Sequence, residues 1–313
     1  MNLICNRETS GNLMLLFAAV IWGTAFAAQS AAMDRIGPHT MNAVRCLTAS
    51  VSLFPVSLLF RRHEKKHPPV RQLSPFGIWT LALGGLVCGL ALFGATTLQQ
   101  MGLVYTLVGK AGFITALYIV LVPILGLFLG KPVRALQWCC VGIAVVALYL
   151  LSVSGVSEIN KGDLMMLGCA LVFAVHIHLI DYFAPRVNGV MLSCLQFLVA
   201  GLISLIPMFL LEEPSWLSLR AAAFPILYAG MLSGGIAYTL QILGQERTNP
   251  VTGSLIMSTE SLWALIAGIF ILHESLSGKE LLGGALMIIA LILSQVSIPF
   301  RKHPIVSHTD HDQ

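Results

Sequence analysis

Residues 98–106 read LQQMGLVYT, and residues 240–248 read LQILGQERT. At an offset of 142 the two share Leu, Gln, Gly and Thr. The match continues without a gap: ALYIVLVPILGLFLGKPV (116–133) overlies STESLWALIAGIFILHES (258–275), and Gly142 and Ser152 overlie Gly284 and Ser294. Upstream, GNLMLLFAAVIW (11–22) matches GDLMMLGCALVF (162–173) at an offset of 151, where Arg45 also faces Gln196. The change in offset falls in the longer basic loop of the first half. Each identity is weak alone, but their common order along both halves marks an internal duplication.

The duplicated unit is built for lipid. Of 313 residues 57% are apolar and 10% charged, with mean hydropathy +0.84. Soluble domains run near ~45–50% and ~25%, so this chain cannot assemble a water-facing surface. Its charges cluster between apolar runs, as in Arg61, Arg62, Glu64, Lys65 and Lys66. A spanning helix needs roughly 20 apolar residues. Ten such runs lie near 12–32, 41–60, 76–97, 104–130, 136–154, 163–183, 190–211, 222–243, 250–272 and 279–299. They are continuous rather than alternating over about 10 residues, which predicts helices and not outer-membrane strands.

Loop charge gives the direction. With the N-terminus inside, Lys and Arg number 12 on the inner side and 4 on the outer, leaving aside Arg45 and Lys110 in or beside spans. The positive-inside rule therefore puts both termini in the cytoplasm. Each half carries five spans, an odd number, so the second half inserts upside down relative to the first. The expected fold is all-α and polytopic, ten transmembrane helices in two inverted five-helix repeats over 11–154 and 162–299, then a cytoplasmic tail 300–313. Inverted repeats are the architecture of secondary transporters, which bind solute near the midplane between the halves.

Several other classes lose support. The net charge of +4 comes from loop residues, so nucleic acid is not an expected partner. Seven cysteines (Cys5, Cys46, Cys88, Cys139, Cys140, Cys169, Cys194) lack metal-ligand spacing, and six sit in apolar runs as small buried residues. No metal or cofactor is expected. A phosphate-binding loop and a stretch long enough for a nucleotide-binding domain are both missing, so transport runs on gradients. A membrane enzyme needs paired acids or a nucleophile with its base; the spans hold a lone Glu260, separated histidines and no GxSxG elbow. The first apolar run lacks a basic leader and reads as a span rather than a cleaved signal.

These residues resemble a known family. IWGTAF (21–26), AVRCLTAS (43–50), GKAGFITALYIVLVPILGLFLGK (109–131), LQFLVAG (195–201) and GSLIMSTESLWALIAGIFILHESLSGKELLGGALMIIA (253–290) are similar to the EamA-type branch of the drug/metabolite transporter superfamily. The resemblance covers roughly 11–298. It implies a ten-helix transporter of small metabolites whose central cavity is lined mainly by spans 1, 3, 4, 6, 8 and 9. The family usually has Pro after the glutamate of the ninth span. Here Ser261 stands there, which implies a smaller kink.

Ionisable residues inside spans cost several kcal/mol and mark functional positions. Glu260 aligns with Tyr118, so the two should occupy opposite walls of the cavity. Gly253, Met257, Glu260 and Ala264 share one stripe, with Trp263 beside it; Ala111, Thr115, Tyr118 and Val122 make the matching one. Two readings of Glu260 stand: a partner for a substrate amine or proton, or a structural pin. Trp22 and Gln29 share a face of the first span, and Phe173, His176 and Ile180 take the equivalent face of the sixth. His178 points away, toward Asp181, as a local polar pair. Thr97–Leu98–Gln99 and Thr239–Leu240–Gln241 are matched, with Tyr238 preceding the second.

The expected substrate-binding set is thus Trp22, Gln29, Gln99, Tyr118, His176, Tyr238, Gln241, Glu260 and Trp263. Arg45 is expected to support from outside the cavity, Lys110 to attract anions, and His273–Glu274 to anchor the turn before the tenth span. Small-xxx-small pairs such as Gly85/Gly89 and Gly126/Gly130 allow close helix approach. The expected function is secondary transport of a small metabolite such as an amino acid by a monomer or homodimer in the bacterial inner membrane. A proton is the natural coupling ion, and the family's habits favour export. The alternatives are a multidrug, organic-cation or sugar-type transporter of the same fold, and a membrane sensor that moves no solute.

Overall fold

The computed structural model describes residues 2–66, 77–106, 108–152, 160–264, 266 and 278–294. The long apolar runs form α1 (Asn2–Met33), α2 (Pro38–Lys66) and α3 (Gly77–Leu103). The fourth span is split into α4 (Val108–Ala116) and α5 (Tyr118–Phe128), followed by α6 (Ala135–Ser152), α7 (Lys161–Phe183) and α8 (Gly189–Leu211). After a short α9 (Trp216–Ala221), the eighth span comprises α10 (Ala223–Leu227), a π-helical segment Tyr228–Ala237 and α11 (Tyr238–Gln245). The last two spans begin with α12 (Pro250–Met257) and α13 (Gly278–Ser294).

Among the described residues, seven helices are long and apolar enough to cross a membrane, and two shorter apolar helices cover Ala135–Leu150 and Leu281–Leu293. With the span that α12 opens, these make ten. Phe128 is 85% exposed and Phe224 76%, and the outward faces of the bundle carry many more large apolar side chains. Water would not tolerate apolar surface on that scale; lipid does. This is a multi-pass membrane protein. The later part of the ninth span with Gly268, the His273–Glu274 pair, the Lys110 side chain, Arg71 and the tail 300–313 lie outside the described residues.

Local chemistry sets the helix starts. Asn160 caps α7 in a reciprocal capping box with Asp163, Asn188 accepts from Met191 N at 2.8 Å to start α8, and Asn249 accepts from Thr252 N at 2.9 Å ahead of Pro250.

The repeat reappears in the packing. Helix α2 packs against α8 and α6 against α13, each against its own repeat mate. Helix α3 packs on α7 as the eighth span packs on α1, which is the exchange a pseudo-two-fold axis demands. Two of the four letters shared by LQQMGLVYT and LQILGQERT, Gly and Thr, build this exchange. A Cβ on Gly162 would lie 2.8 Å from the Gly102 carbonyl oxygen, and one on Gly244 would lie 2.9 Å from the Gly11 carbonyl oxygen. Beside these crossings Thr106 Oγ1 donates to Asp163 Oδ1 at 3.0 Å, and Thr248 Oγ1 donates to Asn12 Oδ1 at 2.8 Å. Gly11 and Gly162, and Asn12 and Asp163, are mates at the 151 offset.

Candidate functional site

Two spans break at matched places. The fourth turns at Leu117, between α4 and α5, and the ninth turns at Ser258–Thr259 before the helix resumes at Glu260. Leu117 and Thr259 are mates at the 142 offset. In the ninth span the cause is local: Ser254, Ser258 and Thr259 hydroxyls donate to carbonyls three residues back at 2.9, 2.9 and 2.7 Å. Such bonds compete with the helical ladder, and tighter i→i−3 backbone bonds follow at Thr259, Ser261 and Leu262. The interruption is present although Ser261, and not a proline, follows Glu260.

A cavity lies at these breaks. About 520 Å³ of space lies between its walls, with the open mouth included. It is lined from the first repeat by Trp22, Phe26, Gln29, Arg45, Gln99, Thr115 and Tyr118, and from the second by Phe173, Ile177, Ser233, Tyr238, Gln241, Met257 and Glu260. Ten of these fourteen fall into five mate pairs: Trp22/Phe173, Phe26/Ile177, Gln99/Gln241, Thr115/Met257 and Tyr118/Glu260. The cavity therefore sits on the pseudo-two-fold axis itself. Spans 1, 3, 4, 6, 8 and 9 form the wall, with Arg45 added from the second.

Glu260 and Tyr118 do more than face each other. Tyr118 OH donates to Glu260 Oε1 at 3.3 Å, joining the two broken spans at their mated positions. The ninth span reaches this point because Gly23 of α1 lacks a side chain: a Cβ there would lie 2.5 Å from the Glu260 carbonyl oxygen. The aromatic wall is ordered by edge-on contacts, Trp22 on Tyr238 at 4.9 Å and Phe197 on Tyr238 at 5.0 Å between centroids. Trp22 Nε1 and Gln241 Oε1 are buried with no hydrogen-bond partner among the described residues.

Seven of the expected residues, Trp22, Gln29, Gln99, Tyr118, Tyr238, Gln241 and Glu260, come together on this wall. His176 and Trp263 do not. His176 is a mate of Ala25, off the Phe173/Ile177 stripe, and its Nε2 donates to Gln196 Oε1 at 3.0 Å. Trp263 packs beside Gly23, its buried Nε1 without a hydrogen-bond partner among the described residues. The expected His178–Asp181 pair is replaced: His178 Nε2 donates to the Val122 carbonyl oxygen at 2.9 Å, and Asp181 pairs with Lys131.

Arg45 is the main addition. Expected outside the cavity, it lines it, held by Asn42 and Gln29. Ser233 was illegible for a different reason. Ser233 and Tyr238 are five residues apart and share a face only because the segment between them is π-helical. Among the described residues no cluster of three metal-ligating side chains occurs.

The EamA-like transporter family model matches residues 9–153 and again 160–295, so one unit of the family is found twice in succession. The chain belongs to the EamA-like transporter family. An uncharacterized transporter of Archaeoglobus fulgidus is 28% identical over 93% of this chain and 88% of its own length. The uncharacterized transporter YwfM of Bacillus subtilis is 26% identical over 90% of this chain and 92% of its own. Protein PagO of Salmonella typhimurium is 24% identical over 96% and 97%. A crystal structure with 17% identity superposes with a TM-score of 0.72 over 92% of this chain and 96% of that one, and so shares the fold. As a member of the family, this protein is a membrane transporter.

Proposed function

We propose that the protein is a secondary transporter that exports a small amino-acid-like metabolite across the plasma membrane by alternating access, with both termini cytoplasmic. The observation that carries this reading is the cavity on the pseudo-two-fold axis, lined equally by both repeats at the breaks of the fourth and ninth spans. Broken helices at a repeat interface are where transporters of inverted-repeat design hold solute. The five-helix units 11–154 and 162–299 act as the rocking bodies, and the lining residues contact the solute.

The wall is mostly neutral and amphipathic. Gln29, Gln99, Gln241, Ser233 and Thr115 offer hydrogen bonds, Trp22, Phe26 and Phe173 offer apolar surface, and Arg45 and Glu260 supply one basic and one acidic group. That mixture favours a neutral or zwitterionic metabolite over a sugar. A second reading, an organic-cation exporter, draws on Glu260 among aromatic rings. In either case Glu260 is the residue we propose to carry a coupling proton.

A thermal-shift screen of the purified protein against amino acids, sugars, nucleosides and quaternary amines tests the substrate class, since a ligand stabilises the folded state by mass action. Stabilisation by amino acids alone supports the leading reading, and stabilisation by quaternary amines alone favours the second. Flux of the stabilising ligand in proteoliposomes then separates a transporter from a sensor, which binds but moves nothing.

A further inference from the structure

Arg45 is only 7% exposed, within a membrane-spanning bundle, and its partners are all neutral. Its Nε and Nη2 donate to Asn42 Oδ1 at 3.2 and 3.1 Å, and its Nη1 donates to Gln29 Oε1. A guanidinium has five N–H donors. Asn42 and Gln29 engage three, so each terminal nitrogen keeps one N–H that a carboxylate can accept. Glu260, the acidic group of the same wall, is bound to Tyr118 and not to Arg45.

The surroundings hold the guanidinium in place. Asn42, fully buried, turns its Oδ1 to Arg45 because its Nδ2 donates to Thr97 Oγ1 at 3.1 Å and to Ser204 Oγ at 3.0 Å. Three helices, α2, α3 and α8, thus fix one side chain. A buried cation without an anion is costly, and a fixed network that keeps two donors open on a cavity wall makes sense when an anion arrives from outside.

We propose that Arg45 is the residue that binds the carboxylate of the transported solute, so that a carboxylate is required for recognition, with Asn42 as its positioning residue. This deepens the reading of the same cavity as a solute site and rests on it. The cationic end of a zwitterion then falls to Glu260 on the second repeat, and the side chain to the aromatic wall of Trp22, Phe26 and Phe173.

The test uses matched compounds on the purified full-length protein: the common L-amino acids, their decarboxylated amines, and their deaminated acids. Thermal stabilisation is read for the wild type, Arg45→Gln, Arg45→Lys and Asn42→Ala, and counterflow of the stabilising compounds is read in proteoliposomes. In the wild type the amines should bind about tenfold or more weakly than their parent amino acids. Arg45→Gln should erase that difference, while Arg45→Lys retains part of it and Asn42→Ala reduces it. Equal binding of amine and parent in the wild type overturns the assignment, whether or not the variants fold. So does an unchanged ratio in a folded Arg45→Gln protein, or silence across every compound. If carboxylates bind through Arg45 but none is moved in liposomes, the transport reading fails and the Arg45 assignment stands. If only amines bind and are moved, the assignment fails and transport stands.

Discussion

Glu260 is a carboxyl group in the middle of a membrane span, 5% exposed, with one side-chain hydrogen-bond partner among the described residues, the hydroxyl of its own repeat mate. A purely structural pin would need nothing beyond that bond, and glutamine would provide it. A group that exchanges a proton or meets a substrate amine needs the acid. Glu260→Gln keeps size and acceptor and removes only the ionisable group, so it separates the two. If charge or proton matters, flux in proteoliposomes should fall by about tenfold or more, as expected for losing a charge-assisted hydrogen bond of ~1.5–3 kcal/mol, with expression and elution profile unchanged. Full flux at normal expression would leave Glu260 as a helix tie. Its pairing with Tyr118 was readable from the alignment of the halves. Their direct contact was not, because alignment gives equivalence and not the distance across the axis.

At the scale of elements, the two glycine crossings tie the repeats together. A Cβ on Gly162 would lie 2.4 Å from Thr106 Oγ1 and 2.8 Å from the Gly102 carbonyl oxygen; one on Gly11 would meet Arg247 Cβ at 2.8 Å and the Gly244 carbonyl oxygen at 3.0 Å. Backbone stands on the far side of both, so the helices must part. Gly162→Ala and Gly11→Ala should each destabilise by about 1–3 kcal/mol, the usual cost of overpacking. Gly142, with nothing within 4 Å of its Cβ position, is the control. Gly142→Ala should be neutral or gain up to about 1 kcal/mol from helix propensity. Thermal unfolding in detergent reads all three, and equal losses at Gly142 and Gly162 would remove the crossings as the explanation.

These crossings also show what an unaided reading could recover. The Gly and Thr that recur at 102/106 and 244/248 are shared letters of the sequence, whereas Phe26 and its mate Ile177 reach the cavity wall from outside the expected set, which took Ile180 on that face. Three things stayed hidden. The π-helical stretch Tyr228–Ala237 changes the period, so Ser233 falls outside any 3.6-residue stripe. Arg45 looked peripheral because its mate Gln196 is, yet Asn42 and Gln29 draw it to the wall while Gln196 turns to His176. His176 looked central because polar residues in a span invite that reading, and Gln196 satisfies it from α8 instead.

For the whole molecule, everything follows from the two halves lying antiparallel across the bilayer. The excess of Lys and Arg, 12 against 4, is the basis for the proposed direction of the first half, and the odd number of spans reverses the second. With both termini cytoplasmic, as proposed, one crossing, Thr106 on Asp163, belongs to the outer face, and its mate, Thr248 on Asn12, to the inner face. Rocking about the axis between them can open one side of the cavity while the other stays shut, and parallel halves could not do so. Tyr105 and Arg247 are mates at the 142 offset, one residue before each threonine, Tyr105 exposed and Arg247 half-buried. On a background with the native cysteines replaced, Tyr105→Cys should react with an impermeant thiol reagent from outside intact cells. Arg247→Cys should react only after the membrane is opened. Labelling of both from the same side would make the halves parallel, and alternating access through a cavity on their shared axis would lose its physical basis.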